Sequence, residues 1–156
     1  MIREVQGDLL KCDADILCHQ TNFSGIMGGG IAASIRETVL TDRQYREYQS
    51  ICAEKGKALL GTVQYLPAKG GKTIANLFSQ NDWNAGPVLT NYEALRACLN
   101  AVESYAREHG NTVALPGFIG CGIAGGDWKT VREIIEEVFR ESPVDCTIVF
   151  WKKLFP

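Results

Sequence analysis

The residues best placed to do chemistry lie in two glycine-dense stretches. The first runs Asn22-Phe23-Ser24-Gly25-Ile26-Met27-Gly28-Gly29-Gly30-Ile31-Ala32, and the second runs Pro116-Gly117-Phe118-Ile119-Gly120-Cys121-Gly122-Ile123-Ala124-Gly125-Gly126-Asp127. Each follows an apolar run of strand length and leads into a helical pattern. Glycine loses more conformational freedom on folding than any other residue, so this density needs a reason. One reason is a ligand. Bare backbone can approach it closely, and N–H groups at a helix N-terminus form a nest for a phosphate. Ligands of open α/β sheets also sit beyond the carboxyl ends of the strands. The other reason is tight turns that require positive φ. Two such loops, both at strand-to-helix junctions, favour the ligand. Gly120-x-Gly122-x-x-Gly125 formally matches the dinucleotide fingerprint, and Gly28-x-Gly30-x-x-Ala33 nearly does. The first loop, however, puts several residues between strand and glycines where that fingerprint needs a tight turn. The second leaves too short a chain after it for a nicotinamide domain. No Gly-Lys-Ser/Thr follows either cluster, so a Walker A loop is excluded.

The elements that must position these loops follow from hydrophobic patterning. Short, nearly continuous apolar runs occur at 16–18, 63–66, 73–78, 112–115 and 147–151, with residues 1–6 as a possible edge strand. Such runs, rich in β-branched and aromatic residues, read as strands buried on both faces. Tyr92, Leu95, Cys98, Leu99, Val102 and Tyr105 form one helical stripe, closed by Gly110. Val131, Ile134, Ile135, Val138 and Phe139 form another, after Asp127 as N-cap and before Pro143. Residues 29–38 and 42–55 are weaker helices. Strands alternating with helices predict an α/β fold with a largely parallel sheet covered on both faces.

Composition bounds the rest. The chain has 156 residues, 46% apolar and 22% charged, with a formal net charge of −2. One compact domain over residues 1–156 is expected. The charge argues against a nucleic-acid binder held by a basic face. The start lacks a signal-peptide layout and no apolar run could span a bilayer, so a cytoplasmic location is expected. The six cysteines form no C-x-x-C pair, and neither His19 nor His109 lies near a cysteine pair. No zinc site is expected, and the thiols read as reduced structural residues.

Taken in order, Gly7-Asp8-Leu9, His19-Gln20-Thr21-Asn22, Gly28-Gly29-Gly30-Ile31-Ala32, Asn76-Leu77-Phe78, Asn91-Tyr92-Glu93-Ala94-Leu95 and the Pro116–Trp128 segment resemble the macrodomain signature over nearly the whole chain. The nearest likeness is to the branch holding ADP-ribose-1″-phosphate phosphatases and terminal ADP-ribose protein glycohydrolases. The resemblance implies a three-layer α/β/α sandwich over a mixed, mostly parallel sheet. It also implies roles for named residues. Asp8 accepts a hydrogen bond from the adenine amine beside the Leu9 backbone. Asn22 faces the distal ribose. Gly28, Gly29, Gly30 and Ile31 wrap that ribose and one phosphate, while Gly120, Cys121, Gly122, Ile123 and Ala124 hold the diphosphate on backbone amides. Trp151 stands where an aromatic residue stacks on adenine, with a core or surface tryptophan as the alternative.

The chain departs from the members of that branch that work through a covalent lysine. Gln80 and Ala124 stand where those enzymes have the lysine and its partner aspartate, and neither side chain can replace them. The resemblance to the phosphatases makes His19 a candidate general base or water positioner. The alternative is a histidine hydrogen-bonded at a strand end. Asp82 is a candidate for orienting a water, or a plain loop aspartate. Two functions remain: a hydrolase that removes a group from the terminal ribose of an ADP-ribose derivative, and a reader that binds ADP-ribose without turnover. The partners expected are ADP-ribose, a derivative of it or an ADP-ribosylated protein. No cofactor, metal or membrane is expected, nucleic acid is disfavoured, and the chain is expected to be a monomer.

Overall fold

A computed structural model describes residues 1–82 and 84–151. Six strands, β1 (Ile2–Gln6), β2 (Ile16–Thr21), β3 (Val63–Pro67), β4 (Thr73–Phe78), β5 (Val113–Pro116) and β6 (Cys146–Phe150), form one sheet in the order β1-β6-β5-β2-β4-β3. All neighbours pair parallel except β3 with β4. The predicted α/β sandwich is the fold observed, with the 1–6 segment as an edge strand.

Strand alternation divides the core. Ile16 and Cys18 of β2 face one side of the sheet, against α3 (Tyr92–His109) and α4 (Trp128–Phe139). Leu17, between them, faces the other side, where Ile35 of α1 (Gly30–Thr38) and Tyr48 and Cys52 of α2 (Asp42–Lys55) pack. The described cysteines are all free, and four of the six are buried. Burial pushes the thiols of Cys98 and Cys146 up to about 12, so they behave as small hydrophobes.

The helix ends follow local chemistry. Asp127 accepts from the Thr130 amide at 3.0 Å and starts α4, while Gly110 closes α3 at φ 65°. The start of α1 differs. Its N-cap, Gly29, has no side chain to donate to, so the first-turn amides are left for another acceptor. No helix among the described residues is long and apolar enough to cross a membrane.

Candidate functional site

Strands β2 and β5 are adjacent and parallel, so the loops at their carboxyl ends emerge side by side. Both line one cavity of about 1060 Å³, the large end of the range for ligand pockets. Its walls are the Gly7–Lys11 segment, Ile26–Ala32 and the far end of α1. The second loop and Trp151 complete it, and Leu17 and Thr21 of β2 form the floor.

The first loop is anchored at its base and open at its tip. The Asn22 amide nitrogen donates to the Ile26 carbonyl at 2.9 Å. The Asn22 Oδ1 accepts from the Ser24 hydroxyl and from the Tyr48 hydroxyl, each at 2.9 Å. The Tyr45 hydroxyl and the Gln49 side-chain nitrogen both donate to the Gly25 carbonyl, each at 3.2 Å. Beyond Met27 this support stops. Among the described residues, the amides of Gly28, Gly29, Gly30, Ile31 and Ala32 have no intramolecular acceptor.

The second loop is braced throughout. The Gly120 carbonyl accepts from the Thr90 hydroxyl at 2.6 Å and from the Gly126 amide at 2.8 Å. The Ala124 carbonyl accepts from the Leu89 amide at 2.7 Å. Gln20 secures Thr90 from below with a 3.1 Å bond and accepts from Ser79 at 2.8 Å. Phe118 has φ 61°, a left-handed conformation unfavourable for a bulky residue. Contacts with the Trp128 and Phe150 rings, with centroids 5.2 and 5.3 Å away, hold it there. Within this frame the amides of Gly120, Gly122, Ile123 and Ala124 remain without an acceptor among the described residues. Two sets of donors thus meet across one cavity, an arrangement that suits a diphosphate.

Most of the expected site residues line this cavity: Asp8, Leu9, Asn22, Gly28, Gly29, Gly30, Ile31, Gly120, Gly122, Ile123, Ala124 and Trp151. Asp8 Oδ1 accepts from the Leu10 amide at 2.9 Å, which leaves its second oxygen for a ligand donor. Trp151 is half exposed at the rim, and Gln80 also lines the wall.

Three expectations change. Cys121 is absent from the lining, its amide donates to the Phe118 carbonyl at 2.9 Å, and burial followed by the Asp127 charge raises its thiol to about 11. Asp82 is exposed and outside the cavity. His19 is not at the loop mouth but sealed between strands. It is 0% exposed, and its Nε2–H donates to Asn76 Oδ1 at 2.5 Å. The Asn76 nitrogen in turn donates to Gln64, which orients that amide. Burial lowers the His19 pKa to about 4, partly offset by the Asn76 bond. A side chain with no route to the cavity cannot act on a ligand there, so the base role gives way to a strand-end hydrogen bond.

Lys11, Lys69 and Lys72 were not expected in the site. With Asp8 they are the ionisable side chains of the described lining. Lys69 and Lys72 come from the connection between β3 and β4, and the Lys72 Nζ donates to the Ala14 carbonyl at 2.7 Å. No local sequence signal marks their place in the lining.

The family model described as Macro domain matches residues 18–135. ADP-ribose glycohydrolase OARD1 from Bos taurus is 32% identical over 148 residues, covering 94% of this chain and 90% of the relative. ADP-ribose 1″-phosphate phosphatase from Lodderomyces elongisporus is 31% identical over 152 residues, covering 88% of this chain and 92% of the relative. The solved macrodomain of Mycobacterium tuberculosis DarG superimposes with a TM-score of 0.81 at 25% identity, covering 96% of this chain and 97% of that one.

Proposed function

The chain belongs to the macro-domain family, and from that premise we propose that its cavity binds ADP-ribose or a derivative of it, with the diphosphate between the two glycine loops. The observation that carries this reading is the facing pair of unpartnered amide sets, Gly28–Ala32 and Gly120 with Gly122–Ala124, in one cavity. Charge is supplied by backbone dipoles, so no arginine is needed at the phosphates. The free oxygen of Asp8 suits the exocyclic amine of adenine, because a carboxylate accepts and does not donate. Trp151 at the same rim offers an aromatic face, and base stacking contributes about 1–3 kcal/mol. Asn22 and the first loop then border the terminal ribose.

Hydrolysis of a group on that ribose is a second reading, favoured by the activities named for the two relatives. Within the described lining the second loop contributes no lysine or histidine, and Gln80 and Ala124 occupy the wall. Turnover would therefore rest on substrate positioning and on amides that stabilise negative charge as it develops.

Calorimetry with ADP-ribose, AMP and NAD tests the binding reading. ADP-ribose is expected to bind most tightly, and equal affinity for AMP would overturn the reading. Incubation with ADP-ribose-1″-phosphate, O-acetyl-ADP-ribose and an ADP-ribosylated protein separates the two functions. Release of free ADP-ribose identifies a hydrolase, and binding without release identifies a reader.

A further inference from the structure

The carboxyl end of β2 carries a hydroxyl that the protein itself leaves unsatisfied. Thr21 is 3% exposed, yet it lines the cavity. Its Oγ1 has no hydrogen-bond partner among the described residues. Burying a hydroxyl without a partner is unfavourable, and such groups are rare in folded proteins. One other buried side-chain atom among the described residues shares this state, Nδ1 of His19, whose residue does not line the cavity. Thr21 is thus the buried polar residue of the described lining whose hydroxyl the protein leaves unpartnered.

Its position narrows the choice of ligand group. Alternation along β2 puts Thr21 on the face shared with Leu17 and His19, under α1 and the first loop. Gln20, on the opposite face of the strand, also lines the cavity, but its amide is occupied by Thr90 and Ser79. Thr21 immediately precedes Asn22, which borders the terminal-ribose end of the cavity in the proposed pose. The phosphate oxygens already have amide donors in both loops. A hydroxyl both donates and accepts, so its natural complement is another hydroxyl.

We infer that Thr21 Oγ1 hydrogen-bonds a hydroxyl of the terminal ribose and thereby selects ADP-ribose over nucleotides that end at the diphosphate. This rests on the ADP-ribose reading of the site. It makes Thr21 a specificity residue whose cost in the free protein is offset on ligand binding.

The test is Thr21→Val, which removes the hydroxyl at nearly constant shape, with Thr21→Ser as the conservative rescue. The free Val variant is expected to melt at a higher temperature than the native protein, because an unsatisfied polar group has gone. Its affinity for ADP-ribose is expected to fall about tenfold, with affinity for ADP unchanged. Thr21→Ser is expected to retain native affinity for both. Thr21→Ala carries the same ligand discrimination should the Val variant fail to fold. If the native protein binds no ADP-ribose, the reading of the site fails. If it binds ADP-ribose and Thr21→Val binds it equally well, the role of Thr21 fails and the reading stands. An equal loss for ADP and ADP-ribose would move the contact to a phosphate and overturn the ribose assignment.

Discussion

In the second loop a Cβ at Gly125 would stand 2.6 Å from the Pro87 carbonyl oxygen, and one at Gly126 would stand 2.5 Å from that of Gly120. In the first loop Gly30 has open space around it, and Gly28 and Gly29 face only the side-chain tips of Ile26 and Ile123. The two loops look alike in sequence, but their glycines answer different demands. The second is packed against the 87–90 segment, and its own backbone excludes larger residues. In the first, no rigid atom opposes a side chain at Gly28 or Gly29, while the positive φ of Gly25 (84°) and Gly30 (57°) is a backbone demand of its own. Gly28 and Gly29 serve the space in front of them, where the ligand is proposed to lie. Glycine density therefore marks both a fold constraint and a binding surface, and substitution separates the two.

The largest effect is expected at Gly125→Ala. Its φ of 70° and the nearby Pro87 carbonyl both oppose a side chain, and the loss should reach about 3 kcal/mol of stability, measured by urea denaturation. Native stability in this variant would show that the second loop yields as freely as the first.

The next largest concerns the strand beneath the first loop. His19 is held neutral with a pKa of about 4, below its ordinary value of 6.5. The unfolded chain therefore binds the proton more readily between those values. The stability contributed by His19 is present above pH 6.5 and is lost as pH falls towards 4, by about 2 kcal/mol between pH 7 and pH 5. Denaturation midpoints of the native protein and His19→Gln across this range check it. The variant is expected to show a shallower decline, and parallel curves would refute the assignment.

Gly29→Val sharpens the comparison directly. Gly29 has extended backbone at φ −148°, so a side chain is accommodated there and the poorer N-cap should cost about 1 kcal/mol or less. ADP-ribose affinity should drop about tenfold, because the side chain enters the proposed ligand space. A variant that loses stability but keeps affinity would reverse the roles given to the two loops. The smallest effect is expected for Tyr48→Phe. Its hydroxyl donates to Asn22 at the base of the first loop, and removing it should destabilise the protein by about 1 kcal/mol in thermal melts. The second loop makes no bond to Tyr48, so its own amides should keep their hydrogen-exchange rates.

Much of the architecture was legible because it rests on local rules. Asp127 announces α4, since a carboxylate ahead of an apolar stripe caps a helix, and Gly110 announces the end of α3. The β2 and β5 runs, followed by glycines, place both loops at strand ends. Addresses within those elements were less legible. The resemblance to the phosphatases makes His19 a candidate base, three residues before Asn22. The pleat and the neighbouring strand instead bury His19 against Asn76. Cys121 sits inside a glycine loop, yet a turn spends its amide on Phe118.

The amino-acid sequence alone determined the α/β class, the two glycine loops and the lack of a lysine or acid at Gln80 and Ala124. The first two follow from periodicity, capping and residue chemistry, which act over a few neighbours, and the third from the resemblance that aligns those positions. Only the tertiary structure decided which amides stay free, that three lysines reach the cavity, that His19 is sealed and that the Thr21 hydroxyl has no partner. Each of these depends on which distant segment fills the space beside a group. Strand order and register set that, and neither is written in any local stretch of the chain.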